Sequence, residues 1–231
     1  MELKSQQHNG ISWKFSVLGE QALILEPQVQ KDHLYHIQSL ANQIEAHEVE
    51  GIVDIVPAYK SLSIIFEMPI KSHKFLIDIL SGLKGTSISV SSKVIHEIPI
   101  CYDLGLDWEI VENQSGIKKG EFILQHSSKT YTVAMMGFLP GFMFLNGLDD
   151  KLSVPRKISP RTKVPSGSVG IGGDQTGIYS LESPGGWNII GQTPLTFFNV
   201  DKTPPTKLKA GDEIKFKLIT KKEFEHWSIE F

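Results

Sequence analysis

Residues 136–195 read MGFLPGFMFLNGLDDKLSVPRKISPRTKVPSGSVGIGGDQTGIYSLESPGGWNIIGQTPL, and they decide how the chain folds. From Gly137 to Pro194, a quarter of the length, lie 11 of the 20 glycines and 6 of the 12 prolines. Glycine admits positive φ and close backbone approach, whereas proline fixes φ and removes a donor, so this density encodes particular turns rather than a slack linker. Phe138, Leu139, Phe142, Phe144, Leu148, Val169, Ile171, Ile178, Trp187 and Ile189 carry more apolar surface than a disordered tract does. The segment is therefore expected to be ordered, loop-rich and the working surface. Its short, turn-punctuated strands, closed by Glu213 to Ile219 after the turn Ala210-Gly211-Asp212, predict a β-barrel.

Toward the N-terminus the periodicity changes. Trp13, Phe15 and Val17 alternate, and Ala22 to Leu25 form a second apolar run beyond Gly19 and Glu20. Lys31 to Ala46 carries Leu34, Ile37, Leu40 or Ala41, and Ile44 on one helical face. Strands are expected at Ile52 to Val56 and Ser61 to Phe66, then a helix near His73 to Leu83. This ββαββα order predicts a small α+β sandwich with its helices on one sheet face. The Ser- and Gly-rich stretch Gly85 to Lys93 reads as a linker or an edge strand, which places a boundary near residue 90. The expected domains are thus 1–90, small α+β, and 91–231, mainly β. The second opens with a strand at His96 to Cys101, helical patches at Leu106 to Glu112 and Lys118 to Gln125, and a strand at Tyr131 to Met136.

Composition narrows the function. A chain of 231 residues with 40% hydrophobic content supports a real core. No apolar run reaches the roughly 20 residues that span a bilayer, and the start MELKSQQHNG lacks a signal-peptide core, so a cytoplasmic protein without membrane contact is expected. Net charge is −3 with dispersed lysines, which offers nucleic acid no electrostatic footprint. The single cysteine, Cys101, reads as a small half-buried residue without redox chemistry. The eight histidines are scattered. Only His33 and His36 share a helical face, and solvent exposure is expected of them; no metal centre is expected.

Candidate site residues fall in the Gly/Pro segment. Arg156 and Arg161 are the only arginines, against 21 lysines (23 Lys+Arg less two). A guanidinium offers a planar fork matched to carboxylate or phosphate, so both are candidates for a ligand or interface role, with structural ion pairing as the alternative. Gly170, Gly172 and Gly173, beside Ser166-Gly167-Ser168, either present N–H groups to an anion or make tight barrel turns. No GxxxxGK[ST] or GxSxG motif is present. Glu182, before Ser183-Pro184-Gly185-Gly186-Trp187, is the candidate catalytic carboxylate, or else a partner for Arg156 or Arg161. Gln175 and Thr176 suit an amide or lactam, and Trp187 supplies a ring to pack over it. Phe138, Pro140 and Phe142 would line a pocket wall or a subunit interface.

The runs GFLPGFMFLNGLDDKLSVPRK and SPRTKVPSGSVGIGGDQTGIYSLESPGGWNIIGQTPL resemble the signature of the KipI family, which also covers the 5-oxoprolinase B subunit and allophanate hydrolase subunit 1. Resemblance extends to LGEQALILE, GIVDIVPAYKSLSIIF, HEIPICYD, LKAGDEIKF and KKEFEHW, nearly the whole chain. It implies a cyclophilin-like barrel in the C-terminal part. It implies partnership with a homologous-barrel C-type subunit (KipA type) and with an A-type subunit of the LamB/YcsF kind. The implied reaction opens 5-oxo-L-proline to L-glutamate with ATP as co-substrate, with magnesium, and no tightly bound cofactor. Arg156 and Arg161 would then hold phosphate or carboxylate. The resemblance equally admits a KipI-type inhibitor that binds a sensor histidine kinase without catalysis, or an allophanate-hydrolysing component. The chain departs from the family at Met143-Phe144 and Asn146-Gly147, and in a shortened junction loop, Asp103-Leu104-Gly105-Leu106.

Overall fold

Alternation along the first strands separates a buried from an open face. In the computed structural model, which describes residues 5–70 and 95–227, Trp13 and Phe15 are buried on β2 (Ile11–Leu18) while Lys14 and Ser16 are not. On β3 (Ala22–Pro27) Leu23 and Leu25 do the same. The strand β1 (Ser5–His8) went unread because SQQH carries no apolar pattern. Its signal lay in the next two residues: Asn9 and Gly10, at φ 50° and 77°, make the positive-φ pair that a two-residue hairpin requires.

The chain divides into two compact units, Met1–Ser92 and Lys93–Phe231. In the first, α1 (His33–Ala46) buries Ile37, Leu40, Ala41 and Ile44, and β4 (Ile52–Pro57) and β5 (Leu62–Phe66) follow. The five strands run antiparallel in the order β1-β2-β3-β5-β4. Trp13, Leu23, Leu25, Ile37, Ile44, Leu62 and Ile64 form one core. His33 and His36 are half-buried on α1 rather than exposed. The expected helix at 73–83 and the linker or edge strand at 85–93 lie outside the described residues.

The second unit is built on a curled seven-stranded sheet with few helices. Its elements are β6 (Ile95–Ile100), α2 (Trp108–Ser115), α3 (Lys119–Ser128), β7 (Thr130–Met136), β8 (Met143–Asn146), β9 (Arg161–Val164), β10 (Ser168–Ile171), β11 (Thr176–Ile178), β12 (Ser183–Gly185), β13 (Asn188–Gln192), β14 (Glu213–Leu218) and α4 (Lys221–Glu225). The sheet order is β13-β10-β11-β8-β7-β14-β6, with only β14 and β6 parallel among these pairs. A bridge between Cys101 and Gln192, with N–H···O bonds of 2.8 and 3.1 Å, ties the chain just after β6 to β13 at the opposite edge. Cys101 is wholly buried, deeper than the sequence suggested. The core draws on Ile98, Phe122, Val133, Leu145, Val169, Ile178 and Ile214 from the sheet and α3. Strands β9 and β12 stand apart as a two-stranded ribbon. Among the described residues, no helix is long and apolar enough to cross a membrane.

Candidate functional site

The shortened junction loop delivers a carboxylate to the ribbon. At Gly105 a Cβ would collide with Trp108 Nε1 and the Ile190 carbonyl, so only glycine lets the chain run this close to β13. Leu106 and Asp107 N–H then both donate to Ile189 O, at 2.9 and 3.0 Å. Asp107 stands at the N-cap of α2, yet its side chain makes no capping bond. It turns instead toward the Gly/Pro segment. Asp107 Oδ2 accepts from Arg161 Nη1 at 2.6 Å and from Ile189 N at 2.7 Å, and Oδ1 accepts from Arg161 Nη2 at 2.7 Å and Lys157 Nζ at 2.8 Å. The Asp107 side chain is 1% exposed, against 16% for Lys157 and 26% for Arg161. Burial pushes the Asp107 pKa up, but the bonds from Arg161, Lys157 and Ile189 N–H together outweigh it and hold the group below the usual carboxylate range.

Next to these ions lies an aromatic cluster. Phe142 packs edge-on against Tyr179 and Trp187, at ring-centroid distances of 4.9 and 5.7 Å, and Phe144 lies 5.8 Å from Trp187. The glycines of the segment make room for it. A Cβ on Gly172 would sit 2.6 Å from the Trp187 ring, and one on Gly177 2.9 Å from it. Arg156 lies over Trp187, its guanidinium carbon 5.5 Å from the ring centroid. Burial raises the Tyr179 pKa, opposed by the Trp187 backbone N–H and by the charges of Arg156 and Arg161. Both arginines therefore act on one phenol.

The structure redistributes the residues singled out from sequence. The fork of Arg161 is occupied by Asp107, the ion-pairing alternative, with a partner sequence reading missed. Glu182 pairs with neither arginine; it meets Lys163 at 3.1 Å on the exposed face of the ribbon. Gly172 N and Gly173 N donate to Gln175 O and Val154 O, at 3.0 and 2.8 Å, so these two N–H groups are not held open for an anion. Gly170 and Gly172 pack against Trp187 and Gly185 against Tyr179; Gly186 O accepts from Lys157 N at 2.7 Å. Gln175 is half-buried at the same turn. Thr176 is wholly buried, so it is no substrate donor as placed. Its hydroxyl donates to Gly170 O at 3.1 Å, which leaves the oxygen to accept from His126 Nε2 at 3.2 Å. His126 Nδ1 must then accept, and Tyr102 O–H donates to it at 2.7 Å. Trp187 is 5% exposed, a floor beneath Arg156 rather than a free stacking face.

The loop between β7 and β8 adds an exposed aromatic. Phe138 sits at φ 70°, 65% exposed, its ring perpendicular to those of Phe142 and Tyr179. A non-glycine residue in that region costs about 1–2 kcal/mol, a strain that recurs at functional loops. Pro140 is exposed and its carbonyl accepts from Ser180 Oγ at 2.5 Å, while Phe142 is buried. Sequence reading missed Asp107, Lys157 and Lys163. For Asp107 the one legible signal was its place beside the shortened loop.

Comparison with known proteins places the chain. A family model described as carboxyltransferase domain, subdomain C and D, matches residues 13–208. The 5-oxoprolinase B subunit of Bacillus subtilis (strain 168) is 34% identical over 95% of this chain and 98% of its own length. That of Haemophilus influenzae is 36% identical over 86% of this chain and 94% of its own. The crystal structure of TTHA0988 superposes with a TM-score of 0.74 at 31% identity, covering 86% of this chain; this chain spans 40% of that one. With the match running through both units and taking in the Asp107 loop, the aromatic cluster and the ribbon, the chain belongs to the carboxyltransferase-domain family of subdomains C and D.

Proposed function

We infer that this chain is the B subunit of an ATP-dependent 5-oxoprolinase, which opens 5-oxo-L-proline to L-glutamate with its partners. One observation carries the reading: 34% identity to a 5-oxoprolinase B subunit along 95% of this chain and 98% of that one. On this reading the curled sheet, tied edge to edge at Cys101 and Gln192, is a cyclophilin-like barrel. Opening an unstrained lactam is uphill without activation. Phosphoryl transfer from ATP to the lactam oxygen releases ADP and makes the carbonyl carbon electrophilic; water adds there, and the C–N bond breaks as the ring nitrogen takes a proton. A second water cleaves the resulting acyl phosphate to free inorganic phosphate and the glutamate carboxylate. The Gly172 and Gly173 N–H groups are engaged within the protein, so the triphosphate is not assigned to this turn. Phe138 and Pro140, exposed on the β7–β8 loop, are assigned to contact with the homologous-barrel subunit. Glu182, solvent-facing beside Lys163, acts on substrate only once such a partner covers the ribbon.

The test is glutamate formation from 5-oxoproline by this chain alone and reconstituted with its C-type and A-type partners, with and without ATP. Turnover is expected only in the complete mixture with ATP. A verified complex inert toward 5-oxoproline but active on allophanate would move the substrate. Failure to form any complex, with capture of a sensor-kinase dimerisation domain instead, would replace catalysis with inhibition.

A further inference from the structure

We propose that Arg156, Lys157 and Arg161 form an oxyanion-binding site on the second unit, taking the carboxylate or phosphoryl oxygens of a small molecule, and that Asp107 is the positioning residue for its two inner cations. The identity of the ligand rests on the oxoprolinase reading; the site itself does not.

Positive charge gathers at the ribbon. Three cations meet around Gly185, Gly186 and Trp187: Arg161 pairs with Gly185 across the ribbon, Lys157 N donates to Gly186 O, and Arg156 covers the Trp187 ring. Among the described residues, Asp107 is the one carboxylate bonded to any of them. Arg156 makes no ion pair among the described residues. Glu182, just before β12, is paired with Lys163. A protein of net charge −3 thus holds a local excess of two positive charges (three less one) at one place. An oxyanion is what such an excess attracts.

These cations are also held in place before any ligand arrives. Asp107 uses two of the five N–H groups of Arg161 and one of the three of Lys157. The remaining donors sit on groups that are fixed at one end and still reach solvent. A fourth bond, from Ile189 N, anchors the carboxylate itself to β13. Packing restrains Arg156 too, because its guanidinium carbon lies over the Trp187 ring, 5.5 Å from the centroid, on an exposed residue. Donors restrained before the ligand arrives lose little freedom on binding it.

Full-length chain, and separately the reconstituted complex, would be titrated with inorganic phosphate, 5-oxo-L-proline and neutral 2-pyrrolidone at low and high salt. At least one oxyanion is expected to bind, more weakly at high salt, and 2-pyrrolidone is not. Preference for 5-oxoproline identifies a carboxylate subsite, preference for phosphate a phosphoryl subsite. Arg156→Gln, at an exposed position that should leave folding intact, is expected to weaken that ligand about tenfold. Lys163→Gln, outside the cluster, leaves affinity unchanged. Asp107→Asn, with folding checked by its unfolding midpoint, should weaken the same ligand several-fold, and in the active complex should raise the KM for 5-oxoproline while leaving kcat within about twofold. Absence of oxyanion binding, equal binding of 2-pyrrolidone, or wild-type affinity in Arg156→Gln overturns the site; a folded Asp107→Asn with unaltered oxyanion affinity overturns the positioning role. Oxyanion binding in a complex inert toward 5-oxoproline would sink the oxoprolinase reading and leave the site standing. An active complex whose oxyanion affinity is indifferent to Arg156→Gln would do the reverse.

Discussion

Two buried polar networks lie in the second unit, and they are built on opposite electrostatic terms. Tyr102, His126, Thr176 and the Gly170 carbonyl form a neutral chain inside the core, each donor matched to one acceptor. Burial depresses the His126 pKa to about 3, so the imidazole stays uncharged at neutral pH. Asp107, Lys157 and Arg161 form an ionic network that is dry at the carboxylate and wet at the cations. The neutral chain has no exposed member and no donor to spare, which suits a role in specifying one packing of the core. The ionic one carries surplus charge and surplus donors toward solvent. Satisfied networks build structure; an over-supplied one at the rim is available to a ligand.

Removing the hub of the ionic network should have the largest effect. Asp107→Ala leaves two cations without their counter-ion and Ile189 N–H without an acceptor, and is expected to cost about 3 kcal/mol, the low end for a buried pair because both cations reach water. Urea unfolding measures it, and a loss under about 1 kcal/mol would make this network as dispensable as a surface pair. The neutral network is exposed by acid instead. Above pH about 6.5 His126 is neutral both folded and unfolded; as pH falls toward 3 the unfolded chain takes up a proton that the folded chain refuses. Stability attributable to His126 therefore declines by about 1.4 kcal/mol per pH unit through that window. Unfolding at pH 7 and pH 5 should show a steeper loss in the wild type than in His126→Gln; equal losses would mean the imidazole is not dry. Tyr102→Phe, which strips the donor from His126 Nδ1, is expected to cost about 1 to 2 kcal/mol by the same assay, with no change in oxyanion affinity. The smallest effect belongs to Glu182→Gln. Its exposed pair with Lys163 should contribute under about 1 kcal/mol, so a substantial loss of turnover in the reconstituted complex with stability intact would mark Glu182 as catalytic.

How much of this could be read in advance depended on the range of the interaction. Period-2 and period-3.6 patterns record which side faces a core, and Trp13, Phe15, Ile37 and Ile44 declared theirs. The strand SQQH has no such side to declare. Candidate site residues were legible as a segment, because glycine and proline act on their own backbone, but not as partners. Arg161 meets Asp107 across 54 residues of sequence, and Thr176 meets His126 across 50. No local rule joins residues that far apart.

Sequence by itself determined the secondary elements of the described first unit apart from β1, the loop-rich character of residues 137–194, the isolation of two arginines there, and a family resemblance that the comparisons bear out. Those follow from composition and short-range backbone preference, which are properties of the chain before it folds. Tertiary structure alone decided that Arg161 is anchored by a carboxylate while Arg156 rests on a ring, that Thr176 is core, that Glu182 belongs to Lys163, and that the Gly172 and Gly173 turn packs beneath Trp187 with its N–H groups bonded within the protein. Each depends on which distant group fills the space and takes the hydrogen bond, and only closure of the fold settles that.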